Sequence, residues 1–499
     1  MIASLLFPVI LASQPFALPV HAIDAQKHST QSSVLDRKAF YLRDGEMPQS
    51  AAQRFDRIIY GYYPYWADHD ESIPWEHLTH LAFFSVSLNP DGSLGNDHNW
   101  STRGAALVEA GKSHGVKVVL TVTMFDSDEI REVLSTPESR ERAIENLLTL
   151  VQDAGGEGIN IDFEFVPAAQ AGESPSPKEN FVTFMQDLTA AFHAAIDNSH
   201  VSLATPAIDW GGTYDYDALA LVTDGLMIMG YGYHWSGGNP GPLAPIVGGG
   251  IWGQHSLTWT IEDYFTYGGE ENRDRFILGL PLYGRSWPST DLNVPGTATA
   301  TGPALSLAGC DQSFVAGKLW DETTSTPYKL YMEGDVPTQL FCEDIESMRA
   351  KFELIESYDL GGVMFWDVGK VSGSHPVWPE ASAAYAAEPS LDDPSNESDP
   401  SDASEATDTS DPSDETDAAD PSQAIESDQP SEPQETDPSD TGSPEPTTGD
   451  NTDASDPSDS EEGGCQAAQG ESLWTLLMLL SFFVIRRRTQ SSWGKPPLR

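Results

Sequence analysis

Between about Arg57 and Gly369 the chain alternates short apolar runs with longer stretches that repeat apolar residues at helical spacing. The runs are Ile58 to Tyr63, Leu78 to Val86, Val116 to Val122, Gly158 to Phe165, Val201 to Pro206, Gly225 to Tyr231, Phe276 to Tyr283 and Gly361 to Trp366. Strands in a parallel sheet are covered on both faces and read as nearly continuous apolar segments, whereas a one-sided sheet alternates. Eight such strands, each followed by helix-forming sequence, predict an α/β fold closed into a (β/α)₈ TIM barrel with its chemistry at the C-terminal strand ends. Ser135-Thr136-Pro137-Glu138 reads as a capped helix start, with Pro in the first turn and Gly155-Gly156 ending the helix after Ala154.

The interval between the seventh and eighth strands is too long for one crossover helix. Tyr328 to Tyr331 and Gln339 to Cys342 alternate like a hairpin around Glu333-Gly334-Asp335, which predicts a small α+β insertion over about 288–342 and then a helix from Glu343 to Tyr358. Cys310 and Cys342 both fall here, and an oxidising compartment would let them pair; spacing alone does not decide it.

Outside the barrel, expected over 55–385, the pattern changes. Residues 1–22 form an apolar leader ending in Val20-His21-Ala22, as in a secretory signal peptide cleaved after Ala22, and 23–54 read as a linker. Residues 386–462 read as a disordered acidic stalk of Asp, Pro and Ser. From Leu391 to Glu462 there are 25 acidic residues and no Lys or Arg, too little apolar surface to offset the entropy of ordering. That stretch carries about half of the formal net charge of −51, and the acidic remainder makes nucleic acid and anionic lipid poor partners. Over 463–499, Gly463-Gly464-Cys465 precedes an apolar run from Leu473 to Ile485 and then Arg486-Arg487-Arg488. This resembles the surface-sorting tags called MYXO-CTERM, a likeness that implies processing and attachment at Cys465. The expectation is an exported monomer, secreted or anchored at the cell surface, whose only membrane contact is this terminal segment.

The fourth strand reads Glu157-Gly158-Ile159-Asn160-Ile161-Asp162-Phe163-Glu164. Side chains alternate along a strand, so Asn160, Asp162 and Glu164 share one face, the one turned into the barrel. Two carboxylates about 7 Å apart along such a strand are costly to bury for structure alone. Like charge and partial burial hold one of them protonated near neutrality, as a general acid requires.

Gly158, Asp162 and Glu164 match the fourth-strand signature Asp-Gly-x-Asp-x-Asp-x-Glu of glycoside hydrolase family 18. Met229-Gly230-Tyr231 is similar to that family's sixth strand, Gly279-Leu280-Pro281-Leu282-Tyr283-Gly284-Arg285-Ser286-Trp287 to its seventh, and Gly361-Gly362-Val363-Met364-Phe365-Trp366 to its eighth. The resemblance implies a retaining hydrolase of β-1,4-linked N-acetylglucosamine polymers in which the sugar's own acetamido group replaces a protein nucleophile. It implies Glu164 as proton donor, Asp162 orienting the acetamido nitrogen, Tyr231 steadying the acetamido oxygen and Asn160 in support. Trp366 would floor the central subsite, with Tyr62, Phe83, Met229, Tyr283 and Arg285 around it. Trp235, in a Trp-Ser-Gly-Gly-Asn-Pro-Gly-Pro segment, is added as a groove residue. No Cys/His cluster has metal-ligand spacing, so neither metal nor cofactor is expected.

The chain departs from the signature at Glu157 and Asn160, lacks Ser-x-Gly-Gly after the third strand, and has Gly232 where an Asp often follows the sixth-strand Tyr. Asn160 is expected to hold Asp162 by a hydrogen bond. The variant looks more like the branch that includes spore-cortex and peptidoglycan N-acetylglucosaminidases, so chitin and peptidoglycan both stay open as substrates. A lectin-like barrel that binds the sugar without turnover is the reading from another class.

Overall fold

A computed structural model describes residues 20–31, 54–68 and 70–387. The leader before Val20, most of the linker, the acidic stalk and the Cys465 segment lie outside the described residues.

Eight parallel strands close a barrel: β1 (Ile58–Pro64), β2 (His80–Ser87), β3 (Lys117–Met124), β4 (Gly158–Phe163), β5 (His200–Pro206), β6 (Gly225–Met229), β7 (Phe276–Pro281) and β13 (Gly362–Trp366). The first and last pair directly, Ile58 opposite Gly362 and Gly61 opposite Phe365, which leaves the barrel no free edge. Each strand buries both faces, and the two faces feed different cores. Inward residues such as Tyr60, Tyr62, Ala82, Phe84, Met227, Met364 and Trp366 fill the barrel. Outward residues such as Ile59, Phe83, Ile161, Phe163 and Phe365 pack under the helices. The helix expected after Thr136 runs Pro137–Asp153, with the Thr136 side chain accepting from the Ser139 N–H and Pro137 in its first turn.

Between β7 and β13 a five-stranded sheet stands on the rim, in the order β10 (Leu319–Asp321), β11 (Thr326–Glu333), β12 (Val336–Phe341), β8 (Tyr283–Pro288) and β9 (Ala304–Ser306). The hairpin of β11 and β12 turns at Gly334, as the alternation indicated. Cys310 and Cys342 are joined by a disulfide that ties the insertion's short helix (Leu307–Phe314) to the end of β12.

A further element occupies the C-terminal mouth. Helix α1 (Val20–His28), from the segment read as the end of a leader, lies in that mouth with Val20, His21, Ala22 and Asp24 buried. Its far end is fixed where the Tyr65 hydroxyl donates to the His28 carbonyl (2.8 Å) and the His28 ring stacks on Trp66 (4.6 Å).

Glycine at 158 starts the strand that carries the acids, and it has a steric reason. A Cβ there would stand 2.0 Å from the His200 carbonyl oxygen of the neighbouring strand, at φ +155°. Gly158→Ala must therefore push β4 from β5, and it is expected to cost roughly 3 kcal/mol or more, read as a fall in the chemical-denaturation midpoint.

Candidate active site

The end of β4 sets the site. Asn160 and Asp162 are fully buried in the barrel and Glu164, one residue past the strand, is 6% exposed at the C-terminal mouth. The Tyr214 hydroxyl donates to the Phe163 carbonyl (2.6 Å), which pins the backbone just before Glu164. Asn160 does not reach Asp162, contrary to the expectation from sequence. Its amide oxygen accepts from the Tyr62 hydroxyl (2.8 Å) and its amide nitrogen donates to Ser202 (3.0 Å), so Asn160 is spent on fixing the layer beneath. The cross-strand register explains it, since Asn160 faces Ser202 on β5.

What Asp162 does hold is His21 of α1. His21 Nδ1 lies 2.9 Å from Asp162 Oδ2 and 3.2 Å from Glu164 Oε1, and His21 Nε2 lies 2.6 Å from the Tyr231 hydroxyl. An ionised carboxylate only accepts, so Nδ1–H donates to Asp162, and in the tautomer with that single ring proton Nε2 accepts from the Tyr231 hydroxyl. The imidazole packs on Trp366 (3.9 Å between ring centroids), with Tyr62 at 5.2 Å and Phe84 at 5.6 Å. Neither oxygen of Glu164 has a partner in hydrogen-bond geometry. Burial first, then the Asp162 charge, hold its carboxyl well above the ordinary range, and the nearby Ala22 backbone N–H pulls weakly the other way. Tyr231 is likewise kept a neutral phenol by burial and by the surrounding Tyr283 and acids.

Most of the residues expected from sequence converge here. Asp162, Glu164, Tyr231, Tyr62, Met229, Tyr283 and Trp366 line the mouth or the barrel floor beneath it. Arg285 sits over the Tyr283 ring (5.4 Å) and donates to the Gly302 carbonyl. Trp235 lines a cleft of about 410 Å³ together with Glu164, Tyr214, Tyr231 and Trp210. Phe83 does not belong. It packs outward against Trp100 (5.5 Å), and the inward aromatic is its neighbour Phe84, 4.8 Å from Trp366. In a strand buried on both faces hydrophobicity carries no parity, so a one-residue slip leaves no trace in composition.

Several residues of the site escaped the sequence reading. Trp210 is 66% exposed on the loop after β5 and presents a bare indole to the cleft. Its place beyond the C-terminal end of a barrel strand was the available signal. His21 and Asp24 gave no signal, because they lie outside the repeating pattern and reach the site only through the fold. Just past β13, the partly exposed Lys370 pairs with the buried Asp367 beside the Trp366 ring.

With His21 in place, one trio among the described residues, His21, Asp162 and Glu164, brings potential metal ligands within 4.8 Å of one another. Both imidazole nitrogens are already committed to Asp162 and Tyr231, so a cation would have to break those bonds. A larger hollow, about 820 Å³, opens at the opposite mouth among Arg57, His80, Lys117 and Glu157, far from the acids and from the strand ends where barrel chemistry is found.

Comparison with known proteins identifies the family and the fold. The family described as Glycosyl hydrolases family 18 matches residues 58–370. A cortical fragment-lytic enzyme of Bacillus anthracis is 24% identical over 302 residues, covering 58% of this chain and 65% of that protein. Chitotriosidase-1 of Mus musculus is 26% identical over 287 residues, covering 53% of this chain and 61% of that one. This chain thus spans less than two thirds of the length of either relative. The crystal structure of the Ostrinia furnacalis Group IV chitinase superposes with a TM-score of 0.56 at 19% identity, covering 66% of this chain and 99% of the other.

The raised Glu164 pKa makes a stability prediction. An unfolded glutamate releases its proton near pH 4.5 and the buried one holds it to higher pH, so stability is greatest below that pH and declines as pH climbs through the folded value. Glu164→Gln removes the penalty. Its melting temperature relative to the parent is expected to rise as pH climbs above the unfolded value of 4.5, measured by calorimetry.

Proposed function

The chain belongs to glycosyl hydrolases family 18, and from that premise we propose that it hydrolyses β-linked N-acetylglucosamine chains with retention, using the substrate's acetamido group as nucleophile. One observation carries this reading: the hydrogen bonds made by His21. A planar group lying on Trp366 gives an N–H to Asp162 and takes an O–H from Tyr231. An acetamido group offers the same pair, an N–H donor and a carbonyl acceptor, in a flat unit of similar size. The His21 ring stands in for that amide.

On this reading Glu164, protonated by its burial, lies beside the group that Asp162 and Tyr231 hold and donates its proton to the glycosidic oxygen. The acetamido oxygen closes on the anomeric carbon from the opposite side as the leaving group departs. Asp162 accepts from the acetamido N–H and so offsets the positive charge that develops on the ring formed; the Tyr231 hydroxyl fixes the oxygen for attack. Glu164, now a carboxylate, draws a proton from water as it opens that ring, which restores the acid and retains configuration. The base of the site is buried and aromatic, which strengthens each of these contacts. Substrate and α1 exclude each other, so the helix must withdraw for a glycan to bind.

Chitin oligosaccharides are the simplest substrates. Peptidoglycan is the second reading, favoured by the cortical fragment-lytic relative and by the Asn160 variant of the β4 signature. A binding protein without turnover is disfavoured by the retained Glu164 and its raised pKa. Action outside the cytoplasm is supported by the apolar leader and the Cys465 segment.

In the full chain carrying His21→Ala, which frees Asp162 and Tyr231, chitotetraose is expected to be cut to products of retained configuration, followed by NMR of the new reducing ends. Adding Glu164→Gln is expected to lower kcat on the order of a thousandfold with oligosaccharide affinity retained; undiminished turnover would refute the acid assignment. A thiazoline analogue of the cyclised acetamido sugar is expected to inhibit competitively, and failure to do so would refute acetamido participation.

A further inference from the structure

Asp24 stands one helical turn beyond His21, and where its carboxylate rests is informative. Asp24 Oδ2 accepts from the Trp366 indole N–H (3.1 Å) and from the Lys370 ammonium (3.2 Å), and the residue is 8% exposed. Burial alone would push its carboxyl up. Lys370, the indole N–H and Arg285 more than reverse that and hold it below the ordinary range. A carboxylate is therefore welcome at this corner, directly beside the aromatic floor of the site.

The corner's own charges show why. Lys370 Nζ lies 5.7 Å from the Trp366 ring centroid and 5.9 Å from that of Tyr283, and it pairs with the buried Asp367. Arg285 is 4% exposed, has no ion-pair partner among the described residues, and its Nε lacks a hydrogen-bond partner. Two cations thus face one buried acid of the barrel once Asp24 withdraws. The Arg285 guanidinium is buried without an ion-pair partner among the described residues, which is costly unless a counter-charge arrives. A neutral chitin chain offers it hydroxyl and amide oxygens but no counter-charge.

We infer that Lys370, with Arg285 and the Trp366 N–H, is a carboxylate receptor beside the central subsite, and that the preferred glycan flanks its N-acetylglucosamine with a carboxylate-bearing sugar. The lactyl ether of N-acetylmuramic acid has that chemistry. The inference rests on the glycosidase reading above and selects among its substrates. Asp24 and His21 then act as a pair, the imidazole in place of the acetamido group and the carboxylate in place of the acid on the neighbouring sugar.

The test uses the full chain with His21→Ala and Asp24→Ala, which empties both positions. Three tetramers are compared: chitotetraose, a tetramer alternating N-acetylglucosamine with N-acetylmuramic acid, and the same alternating tetramer with its lactyl carboxyls amidated. The acidic tetramer is expected to exceed its amidated form at least tenfold in kcat/KM, and Lys370→Gln is expected to bring that ratio within about threefold of one. An unchanged ratio in Lys370→Gln, or no preference in the parent, overturns the inference. If Lys370→Gln does not fold, salt decides: KM for the acidic tetramer should rise severalfold from low to high ionic strength while that of the amidated one holds, and equal responses overturn it. Cleavage of chitotetraose without preference for the acid sinks only the receptor; cleavage of none of the three sinks the glycosidase reading itself.

Discussion

Two acids buried together at a barrel mouth are the constraint from which the rest of this structure follows. Asp162 is fully buried and Glu164 nearly so, and neither finds a compensating cation within the barrel wall. Such a pair is tolerated only if one member keeps its proton and the other has a donor to accept from. Glu164 takes the first course. For Asp162 the donor comes from outside the barrel, and in this structure it is an N–H of the chain's own N-terminal helix. In this structure the site is completed by the His21 ring, which meets Asp162 on one side and Tyr231 on the other.

The supporting structure keeps that deficit in place. Tyr62 and Ser202 occupy Asn160, so the asparagine cannot swing up to satisfy Asp162. Tyr214 pins the end of β4, and the closeness of β5 at Gly158 fixes its start. Around the rim, the inserted sheet supplies Tyr283 and Arg285 from β8, and the disulfide between Cys310 and Cys342 holds the insertion to its own strand end. The same rim places Arg285 near Lys370, so the insertion contributes charge as well as a wall.

The helix Val20–His28 gives the site's preferences a physical reading. It offers the groove a flat donor and acceptor at one point and a carboxylate one turn later, and both are accepted with good geometry. The expected cleavage point after Ala22 falls inside this helix, so processing there would separate His21 from Asp24 and leave the imidazole's position open.

By itself the sequence determined the barrel, its strand count, the inserted hairpin and the inward face of β4, because these depend on periodicity and on the alternation of side chains along one strand. Asp162, Glu164, Tyr231 and Trp366 were legible for the same reason: each sits at a fixed offset within a recognisable run. Only the tertiary structure decided what depends on parity or on distance through space. Phe84 rather than Phe83 faces the site, since a strand apolar on both sides hides its register. Asn160 turned to Tyr62 and Ser202 because neighbouring strands presented those partners. His21, Asp24 and Lys370 met at the catalytic mouth although the histidine and the lysine lie about 350 positions apart in the chain, and no local pattern encodes a contact that forms only when the barrel closes.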